Sequence, residues 1–150
     1  MREAIALAMH GIQHNDGGPF GAVVVKDGVI IARGHNKVTS SDDPTAHAEI
    51  VAIREACRHL ATFQLDACEI YTSCEPCPMC LGAIYWARLN KVYYASTRHD
   101  AALIGFDDEF IYNEIVLSPE KRSIVMEQTM QAEALVVFDA WRKKEDKIDY

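Results

Sequence analysis

The stretch CEIYTSCEPCPMCLGAIYWAR, residues 68–88, changes character at Pro76. On its near side, Ile70, Tyr71 and Thr72 suit a short strand running from Cys68 to Thr72. On its far side, Cys77-Pro78 opens a helix, because a proline at the first helical position has no amide to leave unpaired. Leu81, Ile84 and Tyr85 carry that helix inward to about Arg88. A strand at Lys91–Ala95 follows. Strand, helix and strand in this order predict a crossover within one sheet.

Toward the N-terminus, Ala4, Ile5, Leu7, Ala8 and Ile12 fall on one face of a first helix, which stops at the run Asn15 to Pro19. Phe20 to Lys26 and Val29 to Gly34 read as strands joined by Asp27-Gly28, a strong hairpin signal. Asn36 to Pro44 is a polar loop. Asp43 and Thr45 are candidate caps, with Pro44 near the entry, for a second helix that carries His47 and Glu49 to about Leu60. Ile50, Ile53 and Cys57 give that helix its buried side. Toward the C-terminus, Arg98 to Glu114 is irregular with helical pieces, and Ser118-Pro119-Glu120 looks like a helix entry. Ser123 to Gln128 is a weak fifth strand, and Gln131 to about Lys144 is a closing helix before a charged tail ending at Tyr150. The order predicts an α/β fold: a three-layer α/β/α sandwich around a mixed five-stranded sheet. No repeat or linker interrupts it, so residues 1–150 are expected to form a single domain.

Composition narrows the function classes. Fifteen Lys and Arg against 22 Asp and Glu give a net charge of −7, a poor match to a nucleic-acid backbone. The apolar run Ala4 to Met9 is too short to span a bilayer and lacks a signal cleavage pattern. Five cysteines, an odd number containing a C-x-x-C pair, suit metal binding in a reducing compartment better than a disulfide framework. A cytoplasmic protein with neither nucleic-acid nor membrane partners is expected.

Cys77 and Cys80 stand three apart and so share one face of a helical turn. His47 lies thirty residues earlier, on another helix, so the two helices must bring their first turns together. Both N-termini would then aim partial positive charge at the site, which favours thiolates. One His and two Cys leave a tetrahedral zinc one open position for water. Bound zinc brings the pKa of that water from about 15.7 to about 7, and Glu49, which need not ligate, can take the proton. A closed structural site with Cys74 as a fourth ligand is the competing reading. His10, His14, His35, His59 and His99 have no such partner pattern and read as surface or packing residues.

The combination H-x-E…P-C-x-x-C resembles the cytidine-deaminase-like superfamily of zinc hydrolases. Several further segments resemble the short bacterial guanine deaminases: Gly17 to Val23, Ser41 to Glu49, Tyr71 to Arg88, Ala101 to Tyr112, and the terminal Tyr150. The likeness covers nearly the whole chain and is weakest from about Leu117 to Ala140. It implies hydrolysis of guanine to xanthine and ammonia, with zinc-bound hydroxide attacking carbon 2 and Glu49 as proton shuttle. By the same resemblance, Asn36 and Asp108 bind the base, and Asp108 also relays a proton. Tyr150 closes over the pocket, and Phe20, Ala48 and Trp86 pack or hydrogen-bond the base. It further implies a homodimer in which the C-terminal segment, about residues 130–150, is swapped between subunits.

Three other readings stay open on sequence. A tRNA adenosine deaminase and a cytosine deaminase share the zinc motif, although the first wants a basic strand-binding surface. A zinc-stabilised scaffold without catalysis would tolerate loss of Glu49.

Overall fold

Asp27 and Gly28 both sit at positive φ, 50° and 77°, the conformation of a tight hairpin turn whose twist matches its strands. They join β1 (Gly21–Lys26) to β2 (Val29–His35) in antiparallel register, with Ala22 opposite Gly34. On the other side of β1 runs β3 (Cys68–Cys74), also antiparallel, pairing Thr72 with Ala22. The last strand, β4 (Lys91–Ser96), lies parallel to β3, giving the order β2-β1-β3-β4. This is a computed structural model, and it describes residues 1–149.

Two glycines explain how helices seat on both faces of this sheet. At Gly21 a Cβ would stand 2.1 Å from the Ala4 carbonyl oxygen and 2.6 Å from the Ala8 amide, both in α1 (Arg2–Gln13). At Gly34 it would stand 2.3 Å from the Ala48 carbonyl oxygen and 2.7 Å from the Ala52 amide, both in α2 (Ala48–Leu60). Opposed residues of an antiparallel pair share a face, and successive ones alternate. Ala22 and Gly34 therefore look toward α2, and Gly21 and His35 toward α1. The crossover from β3 to β4 is α3 (Pro78–Trp86), which packs beside α2. Val24, Ile53, Leu65, Ile70 and Ile84 fill the core between these helices and the sheet. The expected α/β/α sandwich with a mixed sheet is present.

The sequence expectations differ from the structure in two places. Among the described residues the sheet has four strands, and Ser123 to Gln128 forms none. A strand needs a hydrogen-bonded neighbour, and apolar Ile124, Val125 and Met126 stay exposed instead. The second helix starts at Ala48, later than expected, with His47 as its N-cap. Asp43 does not cap it. Its Oδ1 accepts from the Thr45 amide at 2.8 Å and the Thr45 hydroxyl at 2.7 Å, a local turn that competes with helix.

The irregular region contains α4 (Arg98–Ala102), α5 (Glu109–Ile115) and a single 3-10 turn at Pro119–Lys121. The closing helix is α6 (Gln131–Lys143). The chain divides into two compact units, Met1–Glu109, which holds the whole sheet, and a second that begins at Phe110. Within the second, Glu114 accepts from the amide and hydroxyl of Ser123, and Arg122 donates to the carbonyls of Ile115 and Leu117. No residue of α6 is buried, although it carries Leu135, Val136, Val137, Phe138 and Trp141. Among the described residues no helix is long and apolar enough to cross a membrane.

Candidate active site

His47 and Cys77 are the N-cap residues of α2 and α3, both in extended backbone, and Pro78 and Cys80 occupy the first turn of α3. The two helix starts converge. His47 Nδ1 lies 3.5 Å from Cys77 Sγ and 3.5 Å from Cys80 Sγ. All three ligand atoms fall within 4.8 Å of one another. Zinc with Zn–S of about 2.3 Å and Zn–N of about 2.1 Å, at tetrahedral angles, sets a sulfur–nitrogen edge of about 3.6 Å. Both sulfur–nitrogen separations match that edge, and two thiols with one imidazole are a soft donor set that zinc accepts.

Cys77 is drawn down to about 4, first by its hydrogen bond with Cys80 and then by that with His47. Cys80 is pushed up by the same bond with Cys77 and by burial. A ligated dication would need both sulfurs as thiolates. His47 is raised, chiefly by its bond with Cys77. Cys74 stands apart: its thiol donates to the Thr97 carbonyl at 3.5 Å, and burial pushes it up to about 11. Its sulfur is not among the clustered ligand atoms, so the closed four-ligand site does not form.

Glu49 sits in the first turn of α2 and is 5% exposed. Burial pushes its carboxyl above the ordinary carboxylate range, while the Thr72 hydroxyl, donating to Oε1 at 3.0 Å, pulls the other way. Oε2 lies 3.5 Å from Cys80 Sγ. A buried carboxyl beside this candidate ligand cluster, with raised proton affinity, is suited to taking and returning protons.

His47, Glu49 and Cys77 line a cavity of about 250 Å³. That is just below the usual range for small-molecule sites and suits one flat base. Phe20 and Phe106 flank it, packed edge to face at 4.9 Å and 87°. Gly18 is kept small by this pair, because a Cβ there would meet both rings at 3.0 Å. Asp108 also lines the cavity, its carboxyl pushed up by burial and by Cys77 and opposed by Arg98.

Of the residues expected at the site, Phe20, His47, Glu49, Cys77 and Asp108 share the cavity wall. Asn36 does not line it and is buried, its Oδ1 accepting from the amides of Gly18 at 3.2 Å and Val38 at 3.1 Å. Ala48 is fully buried, and Trp86, 70% exposed at the end of α3, does not line the cavity either. Tyr150 lies outside the described residues. Sequence reasoning missed Glu75, Arg98 and Phe106 on the wall and Thr72 beneath Glu49. One signal was available. Thr97 and Asp100 form a capping box, the Thr97 hydroxyl accepting from the Asp100 amide and Asp100 accepting from the Thr97 amide at 2.8 Å. Glu75 then accepts from the Arg98 amide at 3.1 Å, and Gly105, at φ 92°, turns the chain back so that Phe106 and Asp108 reach the cavity.

Residues 1–96 match the family described as the cytidine and deoxycytidylate deaminase zinc-binding region. Guanine deaminase of Bacillus subtilis is 57% identical over 150 residues, covering 100% of this chain and 96% of the relative. Its crystal structure superposes with a TM-score of 0.97 over 99% of this chain and 95% of that one. A solved structure of guanine deaminase from Nitrosomonas europaea is 38% identical, with a TM-score of 0.67 over 70% of this chain and 61% of that one. A tRNA-specific adenosine deaminase of Aquifex aeolicus is 50% identical over 78 residues, 52% of each chain.

Proposed function

Because the chain belongs to the cytidine and deoxycytidylate deaminase zinc-binding family, we propose that it hydrolyses guanine to xanthine and ammonia. One observation carries the choice of base. The likeness to the B. subtilis guanine deaminase runs through all 150 residues, past the end of the zinc-binding region at residue 96. The likeness to the A. aeolicus tRNA-specific adenosine deaminase covers 52% of this chain. A chain of net charge −7 also favours a free base over tRNA.

His47, Cys77 and Cys80 would hold a zinc ion, which would supply a polarised water as nucleophile at neutral pH. Glu49 takes one proton from the attacking water and passes it to ring nitrogen 3 as the new bond forms at carbon 2. It then carries the second water proton to the exocyclic amine. The carbon–nitrogen bond breaks, ammonia leaves, and the water oxygen stays on carbon 2 as the carbonyl of xanthine.

Asn36 spends Oδ1 on two backbone amides, so its side-chain NH₂ is what it offers to an acceptor on the base rim. Asp108 takes the donor-rich edge and helps Glu49 relay that same second water proton to the leaving amine. Phe20 packs the flat ring together with Phe106, and Tyr150 closes over it; Ala48 and Trp86, off the cavity wall, support it only from behind or from outside. A site that hydrogen-bonds the rim rejects analogues lacking those groups, because its own polar atoms would be left unpaired.

The assembly we favour is a homodimer with the C-terminal segment, about residues 130–150, swapped between subunits. Supporting it, α6 keeps no residue buried, and α3 leaves Tyr85 75% exposed. Apolar surface of this extent marks an interaction site, and exchange of a terminal element is a low-cost route to a dimer. Five free cysteines suit the cytoplasm.

The test is ammonia release by purified protein from guanine, cytosine, adenine, ammeline and tRNA. Release from guanine with xanthine as product is expected. Release from another member of the panel and none from guanine would overturn the choice of base.

A further inference from the structure

Glu49 presents two carboxylate oxygens to different neighbours. Oε1 accepts from the Thr72 hydroxyl at 3.0 Å, and Oε2 lies 3.5 Å from Cys80 Sγ. The second contact is a hydrogen bond only while Cys80 keeps its proton. A sulfur that ligates a metal is a thiolate and has nothing to donate. With Cys80 as ligand, the Thr72 hydroxyl is the side-chain donor that still fixes Glu49.

Thr72 is well built for that work. It is fully buried in β3, an interior strand, paired with Ala22 on one side and Tyr94 on the other. Its β-branched side chain has a stiff first torsion, so the hydroxyl direction is set by the sheet. Its neighbour Ser73 points to the opposite face, where it accepts from the Gly21 amide at 3.0 Å. Only Thr72, of these two hydroxyls, faces Glu49.

We infer that Thr72 is a positioning residue that ties up Glu49 Oε1 and so commits Oε2, the oxygen beside the metal ligands, to proton transfer. A carboxylate with both oxygens free would rotate about its terminal torsion, which is broad. It would spend part of its time with neither oxygen aimed at the reacting water, and orientation of this kind is a large part of catalytic rate. The inference rests on the proposed role of Glu49 but not on guanine being the base.

The experiment measures kcat and KM on whichever base the wild-type protein deaminates, together with zinc content, thermal midpoint and the inhibition constant of the deaminated product. Thr72→Val keeps the shape and removes the donor. Its kcat is expected to fall roughly tenfold or more, with KM, product inhibition and zinc content within about twofold of wild type. Thr72→Ser should recover most of the lost kcat. The pair Thr72→Ser and Thr72→Ala, which both lack the methyl group, isolates the hydroxyl should the valine variant fold poorly. Equal kcat in Thr72→Val and wild type, or equal loss in the serine and alanine variants, would overturn the inference. If wild type deaminates none of the bases, the reading of Glu49 fails first and the inference falls with it.

Discussion

His47 and Cys77 occupy equivalent places in two different helices: each is the N-cap residue, in extended backbone, and their Nδ1 and Sγ atoms are 3.5 Å apart. Both helices therefore start at the same point in space. Their unpaired N-terminal amides favour negative charge there. The Cys77 thiolate is thus favoured by the fold before any ion is considered.

Zinc content should depend on Cys77 and Cys80 but not on Cys74. Cys74 is held as a thiol by burial and by its bond to the Thr97 carbonyl. Atomic absorption on Cys74→Ser should return the wild-type zinc content, whereas Cys77→Ser and Cys80→Ser should fall to a small fraction of it. Zinc loss in the Cys74 variant would revive the closed four-ligand site.

Gly17→Ala should damage substrate binding at a distance. A Cβ there would stand 2.1 Å from Asn36 Oδ1 and 2.8 Å from the Asn36 carbonyl oxygen, so the asparagine must move. Overpacking of this kind costs about 1–3 kcal/mol. The thermal midpoint should drop and KM for guanine should rise, with zinc content unaffected. An unchanged KM would separate Asn36 from base recognition.

Much of this was legible in the sequence because local rules decide it. Asp27-Gly28 announces its hairpin and Pro78 its helix start, and the Cys77–Cys80 spacing maps onto one helical turn. Local competition misled in one place: Asp43 prefers the Thr45 turn, which leaves His47 as the N-cap of α2. The contribution of Thr72 was illegible for a different reason. Its bond to Glu49 spans 23 residues and two elements, and no pattern in either segment encodes it. Arg98 and Glu75 reach the cavity through a similar tertiary contact, although the capping box at Thr97 was there to be read.

Deleting the last few residues, Tyr150 included, should lower turnover sharply while the fold and zinc content persist. Circular dichroism and metal analysis would confirm the second half of that outcome. Sedimentation should place the 150-residue protein at twice the mass of its 16.8 kDa chain. Full activity in the truncated protein would remove Tyr150 from the pocket, and a monomer would remove the swapped dimer.

Asp108→Asn should lower kcat/KM for guanine by at least tenfold and leave zinc in place. The carboxylate would no longer accept from the donor edge of the base, and the amide would present a mismatched donor. A variant that matched wild type would leave the Asp108 carboxylate as no more than part of the cavity wall.

The most direct test is the Glu49→Gln variant, assayed side by side with wild type for zinc content and for xanthine formation from guanine. Glutamine keeps the shape and the bond to Thr72 but cannot carry a proton. The account predicts full zinc content and a loss of turnover of at least about a hundredfold. Turnover equal to wild type, with zinc in place, would contradict it.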